Sequence, residues 1–119
     1  MTYKEVASMI AECDIPYAYY QFTEQTAKAP PFICFYFSGS NDFAADNVNF
    51  QRIRTLVIEL YTDSKDFVME QTVETVLNSH ELVYARDESY IDTEKMNMVV
   101  YTTEIVVTDE IITEENNNG

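Results

Sequence analysis

The stretch Arg52–Leu77, RIRTLVIELYTDSKDFVMEQTVETVL, joins a strand pattern to a helix pattern with almost nothing between them. Over Phe50–Tyr61 the side chains alternate. Arg54, Leu56, Ile58 and Leu60 share one face; Ile53, Thr55, Val57, Glu59 and Tyr61 share the other. From Ser64 the period lengthens, and Met69, Val73, Val76, Leu77 and His80 form one helical stripe. Glu70, Gln71 and Glu74 are expected to face water on that helix. Only Thr62 and Asp63 separate the two patterns. So short a joint folds the helix back onto its own strand, which places the chain among α+β domains. The Leu56–Leu60 face should meet the helices. The mixed face should be partly wet or lie in an interface.

The flanking segments fit that frame. Val6, Met9, Ile10 and Cys13 recur at helical spacing over residues 3–13. Thr2 and Glu5 form a capping-box pair at the start, and Asp14 with Pro16 ends the helix. Ile15–Phe22, IPYAYYQF, is strand-like. Thr23–Pro31 is a polar, then proline-rich loop. Phe32–Phe37, FICFYF, reads as a central strand, with Pro30 and Pro31 standing before it because proline cannot donate to a ladder. Within Ser38–Asn49 the SGSND cluster marks a turn. Asp46-Asn47 could reverse the chain between arms Phe43–Ala45 and Val48–Phe50. A strand is expected at Leu82–Arg86, an irregular or briefly helical link over Asp87–Glu94, and a last long strand at Lys95–Val107. The predicted order is α-β-β-β-α-β-β: one mostly antiparallel sheet with both helices on one face.

At 119 residues the chain is expected to be a single domain over 1–107, followed by an acidic tail over 108–119 that offers little to bury. The formal charge is −14, from 21 acidic and 7 basic residues. That excludes an ordinary nucleic-acid-binding surface, which needs clustered lysine and arginine. Cys13 and Cys34 stand alone in apolar surroundings and are expected to be buried free thiols. The opening MTYKEVASMI lacks the basic and apolar regions of a signal peptide, and no segment approaches a membrane span.

Reaction chemistry is hard to find. His80 is the sole histidine, and at a helix C-terminus its structural role outweighs catalysis. Asp42, Asp46, Asp63 and Asp66 could suggest a carboxylate site. However, Asp63 and Asp66 bracket a helix start, where orphan N–H groups favour acids. No phosphate loop, dinucleotide fingerprint, nucleophile elbow or calcium-loop spacing occurs. No catalytic, cofactor-binding or metal-binding residue is expected, and no cofactor. Arg52 and Arg54 follow the Phe43–Phe50 arm, and arginine is enriched in interfaces. Phe43, Asp46, Phe50, Arg52 and Arg54 are therefore the candidate interface residues.

The N-terminal TYKEV, Pro30–Phe37 (PPFICFYF), Phe43–Asp46 (FAAD), Glu59–Asp66 (ELYTDSKD) and Tyr90–Lys95 (YIDTEK) together resemble a family of small proteins in tailed phages and prophages of Gram-positive bacteria. The likeness runs in order over about residues 2–107. The family is labelled tail completion, tail terminator or head–tail joining protein, and its relatives resemble the hexameric terminator of lambda-like siphophages. The resemblance implies a non-enzymatic structural protein of the virion, made in the host cytoplasm. It implies a homohexameric ring that caps the tail tube, ends its polymerisation and meets the head–tail connector. DNA would pass through that ring without specific binding, and no membrane is involved. Two other readings remain: an acidic DNA mimic or inhibitor that binds a host nucleic-acid enzyme, and a small enzyme or metal protein. The acids are scattered rather than spaced along one face, which counts against the mimic.

Overall fold

Thr2 begins the first helix as a capping box. Its hydroxyl accepts from the Glu5 N–H at 2.9 Å, while Glu5 Oε1 accepts from the Thr2 N–H at 2.8 Å. The structure, a computed structural model, describes residues 1–21, 29–40, 43–45 and 49–108. The described elements are helices α1 (Tyr3–Ala11) and α2 (Phe67–Ser79), and strands β1 (Tyr17–Tyr19), β2 (Phe32–Ser40), β3 (Phe43–Ala45), β4 (Asn49–Thr62), β5 (Tyr84–Ile91) and β6 (Met96–Val107). The strands run in the order β1-β2-β4-β6-β5, and β3 also pairs with β4. All pairings are antiparallel except β1 with β2. The fold is thus α+β, with the expected element order once β3, the expected hairpin arm, is counted as an extension of its flanking strand.

The alternation in β4 sets the layers. Leu56, Ile58 and Leu60 are 0% exposed and belong to the core with Val6, Met9 and Ile10 of α1 and Val73 and Leu77 of α2. Val99, Tyr101, Ile105 and Val107 of β6, with Ile33 and Phe35 of β2, complete it. Each of the large aliphatic side chains contributes about 1.5–3 kcal/mol by leaving water. Both helices therefore cover one sheet face. At their C-terminal ends, His80 Nε2 lies 3.0 Å from Glu12 Oε2, tying α2 to the end of α1.

Several boundaries differ from the sequence expectation. Asp66, not Ser64, caps α2; its Oδ1 accepts from the Met69 N–H at 3.1 Å. Residues 64–66 precede the helix because the cap must hold an extended backbone. The strand expected over Ile15–Phe22 shortens to Tyr17–Tyr19, since Tyr20 turns left-handed at φ 75°. Phe22 lies outside the described residues. The irregular link expected over Asp87–Glu94 is strand as far as Ile91, paired through Asp87↔Val100 and Glu88↔Val99. An edge strand can carry charge on both faces, so the polar run DES hid a ladder. Residues 92–95 then turn, with Lys95 at φ 52°. β3 pairs Ala45↔Asn49 and Phe43↔Gln51, close to the expected hairpin arms. Asp46 and Asn47 at its tip lie outside the described residues, as does the tail after Thr108. The Thr108 N–H donates to the Met1 carbonyl at 3.0 Å.

Glu70 is the largest correction. It is buried rather than solvated, at 4% exposure. Arg86 Nη2 pairs with its Oε1, and Lys65 Nζ lies 2.9 Å from Oε2. Arg86 Nε also reaches Glu74 Oε2 at 3.4 Å, and that oxygen accepts from Tyr101 Oη at 2.8 Å. Glu74 is accordingly half-buried too. Arg86 stands on β5 opposite Tyr101, on the helix-covered face, where it can reach α2. Burying a carboxylate is tolerable only with such partners.

Two outcomes are expected in urea unfolding. Ile58→Ala should cost about 2–5 kcal/mol, as a large-to-small core change. Arg86→Met should cost about 1–3 kcal/mol, because Glu70 then keeps Lys65 alone.

Candidate functional site: the open face of the sheet

The face of the sheet opposite the helices carries Phe32, Cys34 and Tyr36 on β2, and Val57, Glu59 and Tyr61 on β4. The register sets Phe32 against Tyr61, Cys34 against Glu59, and Tyr36 against Val57. Cys34 is the small side chain in a row of aromatics, so Phe32 and Tyr36 stand apart around it. Glu59 faces that gap from the next strand. Its Oε1 accepts from Tyr61 Oη at 2.8 Å, and its Oε2 accepts from Tyr36 Oη at 3.2 Å.

Each phenol belongs to a stacked pair. Phe32 lies on Tyr61 with ring centroids 4.8 Å apart and planes inclined by 23°. Tyr20 lies on Tyr36 at 5.3 Å and 29°. Tyr20, Gln21, Phe32, Tyr36 and Tyr61 wall an open cavity of about 500 Å³, with Cys34 and Glu59 also lining it. The Tyr20 backbone is held by its N–H donating to the Phe35 carbonyl at 2.8 Å. A φ of 75° at a tyrosine costs about 1–3 kcal/mol, so the surroundings must impose it. Tyr20 is 63% exposed, so little burial of the residue itself offsets that cost.

The electrostatics follow from this packing. Burial, then the hydrogen bond to Glu59, pushes the Tyr61 phenol well above its ordinary value of 10.0. Tyr36 moves the same way, again chiefly by burial and then by the Glu59 charge. Both phenols stay protonated and donating. Among the described residues, the polar partners of Glu59 are these two phenols. Elsewhere, burial and the adjacent Glu12 push the Cys13 thiol from 9.0 up to about 11. Cys13 and Cys34 are both buried thiols outside any disulfide, as expected.

The residues singled out from sequence are placed less compactly. Arg52 and Arg54 stand on β4 opposite Val107 and Ile105 of β6. Arg54 Nη1 donates to the Ile53 carbonyl at 3.3 Å. Phe43 and Phe50 sit in the β3–β4 pairing at Phe43↔Gln51 and Ala44↔Phe50, and their side chains are outside the described part. Asp46 and Asp42 lie outside the described residues altogether. Asp63 and His80 flank opposite ends of α2, about 20 Å apart at 1.5 Å per residue, so they cannot share a site. Among the described residues, no group of three or more His, Cys, Asp or Glu could hold a metal ion. The Tyr20–Glu59 cluster was missed as a site. Its sequence signal was a mixed strand face whose polar member, Glu59, stands two residues from Tyr61.

Raised phenol and thiol values have a definite consequence for stability. A group whose folded value lies above its unfolded one stabilises fully below the unfolded value and loses that contribution as pH rises. Stability should therefore decline from pH 9.0, where unfolded Cys13 ionises, and more steeply above 10.0, where the tyrosines join it. Urea midpoints measured across that range should fall, and Tyr61→Phe should flatten the upper part of the decline.

No protein-family profile matches the chain, and no curated protein matches it. As a fold it is similar to a chain in the solved virion of a native gene transfer agent particle. The TM-score is 0.52 at 12% sequence identity, over 85% of this chain and 84% of that one. At that identity the likeness is one of fold, and it spans nearly the whole of both chains.

Proposed function

We propose that this chain is a structural protein of a phage-like virion and acts by assembly rather than by catalysis. The fold likeness to a chain of a gene transfer agent virion, over 85% of this chain, carries the reading. The order of family-like motifs from TYKEV to YIDTEK supports it independently. In the finer form of the proposal, copies close into a hexameric ring at the head–tail junction. The ring caps the tail tube, ends its growth and meets the connector.

The subunit has features suited to such a role. One sheet face is covered by helices, and the other is open and aromatic. A face of that kind can be buried between copies or against a partner without leaving backbone groups unpaired. The charge of −14 opposes premature self-association and would repel DNA passing through a lumen. Arg52 and Arg54, beside the β3–β4 hairpin, are the positive groups proposed to meet a neighbouring acidic surface.

Native mass spectrometry across concentration should show six copies of the 13.8 kDa chain, alone or when tail tubes are added. Electron microscopy of tails assembled without the protein should show tubes of uncontrolled length. Normal-length tails in its absence would sink the assembly reading. Displacement of a host DNA-binding enzyme from DNA by the isolated protein would favour the mimic instead.

A further inference from the structure

The open face holds a carboxylate with aromatic walls and no described counter-ion. Glu59 is fixed by Tyr61 at 2.8 Å and Tyr36 at 3.2 Å. Those two phenols use one lone pair on each oxygen. A carboxylate has about four such positions, so acceptor capacity remains toward the cavity. The stacked pairs Phe32–Tyr61 and Tyr20–Tyr36 stand on either side, and Cys34 opens the space between them. The buried carboxylate on the helix side, Glu70, has Arg86 and Lys65 instead. Among the described residues, the fold thus supplies cations to one acid and phenols to the other.

We propose that this cluster is a socket for an arginine side chain presented by a partner protein. The charge complementarity is direct: an anion at the base, and π faces whose quadrupoles attract cations at the sides. A planar guanidinium fits better than an ammonium. It can lie against the rings while its paired N–H groups meet a carboxylate. A neutral or anionic side chain would gain neither interaction and would leave Glu59 facing apolar contacts. The proposal does not depend on the ring or on the tail.

Tyr20 gives the means to separate recognition from stability. Its left-handed backbone favours glycine, and its ring is largely exposed. Tyr20→Gly therefore removes a wall of the socket while relieving the backbone.

The test is a two-dimensional NMR titration of the full chain with Nα-acetyl-arginine N-methylamide, run beside the citrulline analogue and free arginine. Saturable shifts confined to Tyr20, Cys34, Tyr36, Glu59 and Tyr61 are expected with the blocked arginine. Binding should be about tenfold weaker for citrulline, which keeps the shape but not the charge. Glu59→Gln and Tyr20→Gly should each weaken it severalfold, the latter without lowering the thermal midpoint. Equal binding of citrulline, no saturable shift, or binding that requires the free α-amino and α-carboxyl groups of arginine would each overturn the proposal. Retention of full affinity by both variants would do the same.

Discussion

The alternation of β4 is the constraint on which the rest depends. Leu56, Ile58 and Leu60 are wholly buried on one side, while Val57, Glu59 and Tyr61 take the other. A slip of one residue would place Glu59 in the helix-covered core and expose the three aliphatics, so the register is strongly specified. β4 pairs with both β2 and β6 along most of its length, so its alternation decides which face of each neighbour is dry. The helices then have only one surface on which to pack.

The same strand order distributes charge unevenly between the two faces. Arg86 on β5 and Lys65 before α2 converge on Glu70, with Glu74 and Glu88 closing the network. Three acids thus share two cations on the helix side. On the open side, the described partners of Glu59 are neutral donors. Phenols satisfy the geometry of a carboxylate without neutralising it. That is why one network reads as part of the structural core and the other as a surface able to receive a cation.

Much of the fold was legible in the sequence because burial on one face leaves a periodic mark. The β4 alternation, the α1 stripe and the Thr2–Glu5 box translate directly into structure. Signals failed where that mark is absent. Asp87, Glu88 and Ser89 look like a loop because an edge strand exposed on both sides has no apolar period to show. Glu70 looks solvated because its neutralising partner, Arg86, is 16 residues away and approaches through the sheet. The candidate site was half legible. Glu59 and Tyr61 fall on one strand, but Phe32, Cys34, Tyr36 and Tyr20 join them only through pairing and a left-handed turn.

That turn has a bearing on timing. Tyr20 sits in a disfavoured backbone region with its N–H anchored to the Phe35 carbonyl and its ring stacked on Tyr36, so the fold itself positions an exposed ring. The loss of freedom is thus already met before any encounter on that face. A visitor would find a pre-organised wall and forfeit little beyond its own mobility. Association there is then limited by approach rather than by rearrangement, and discrimination shows in how long a visitor stays.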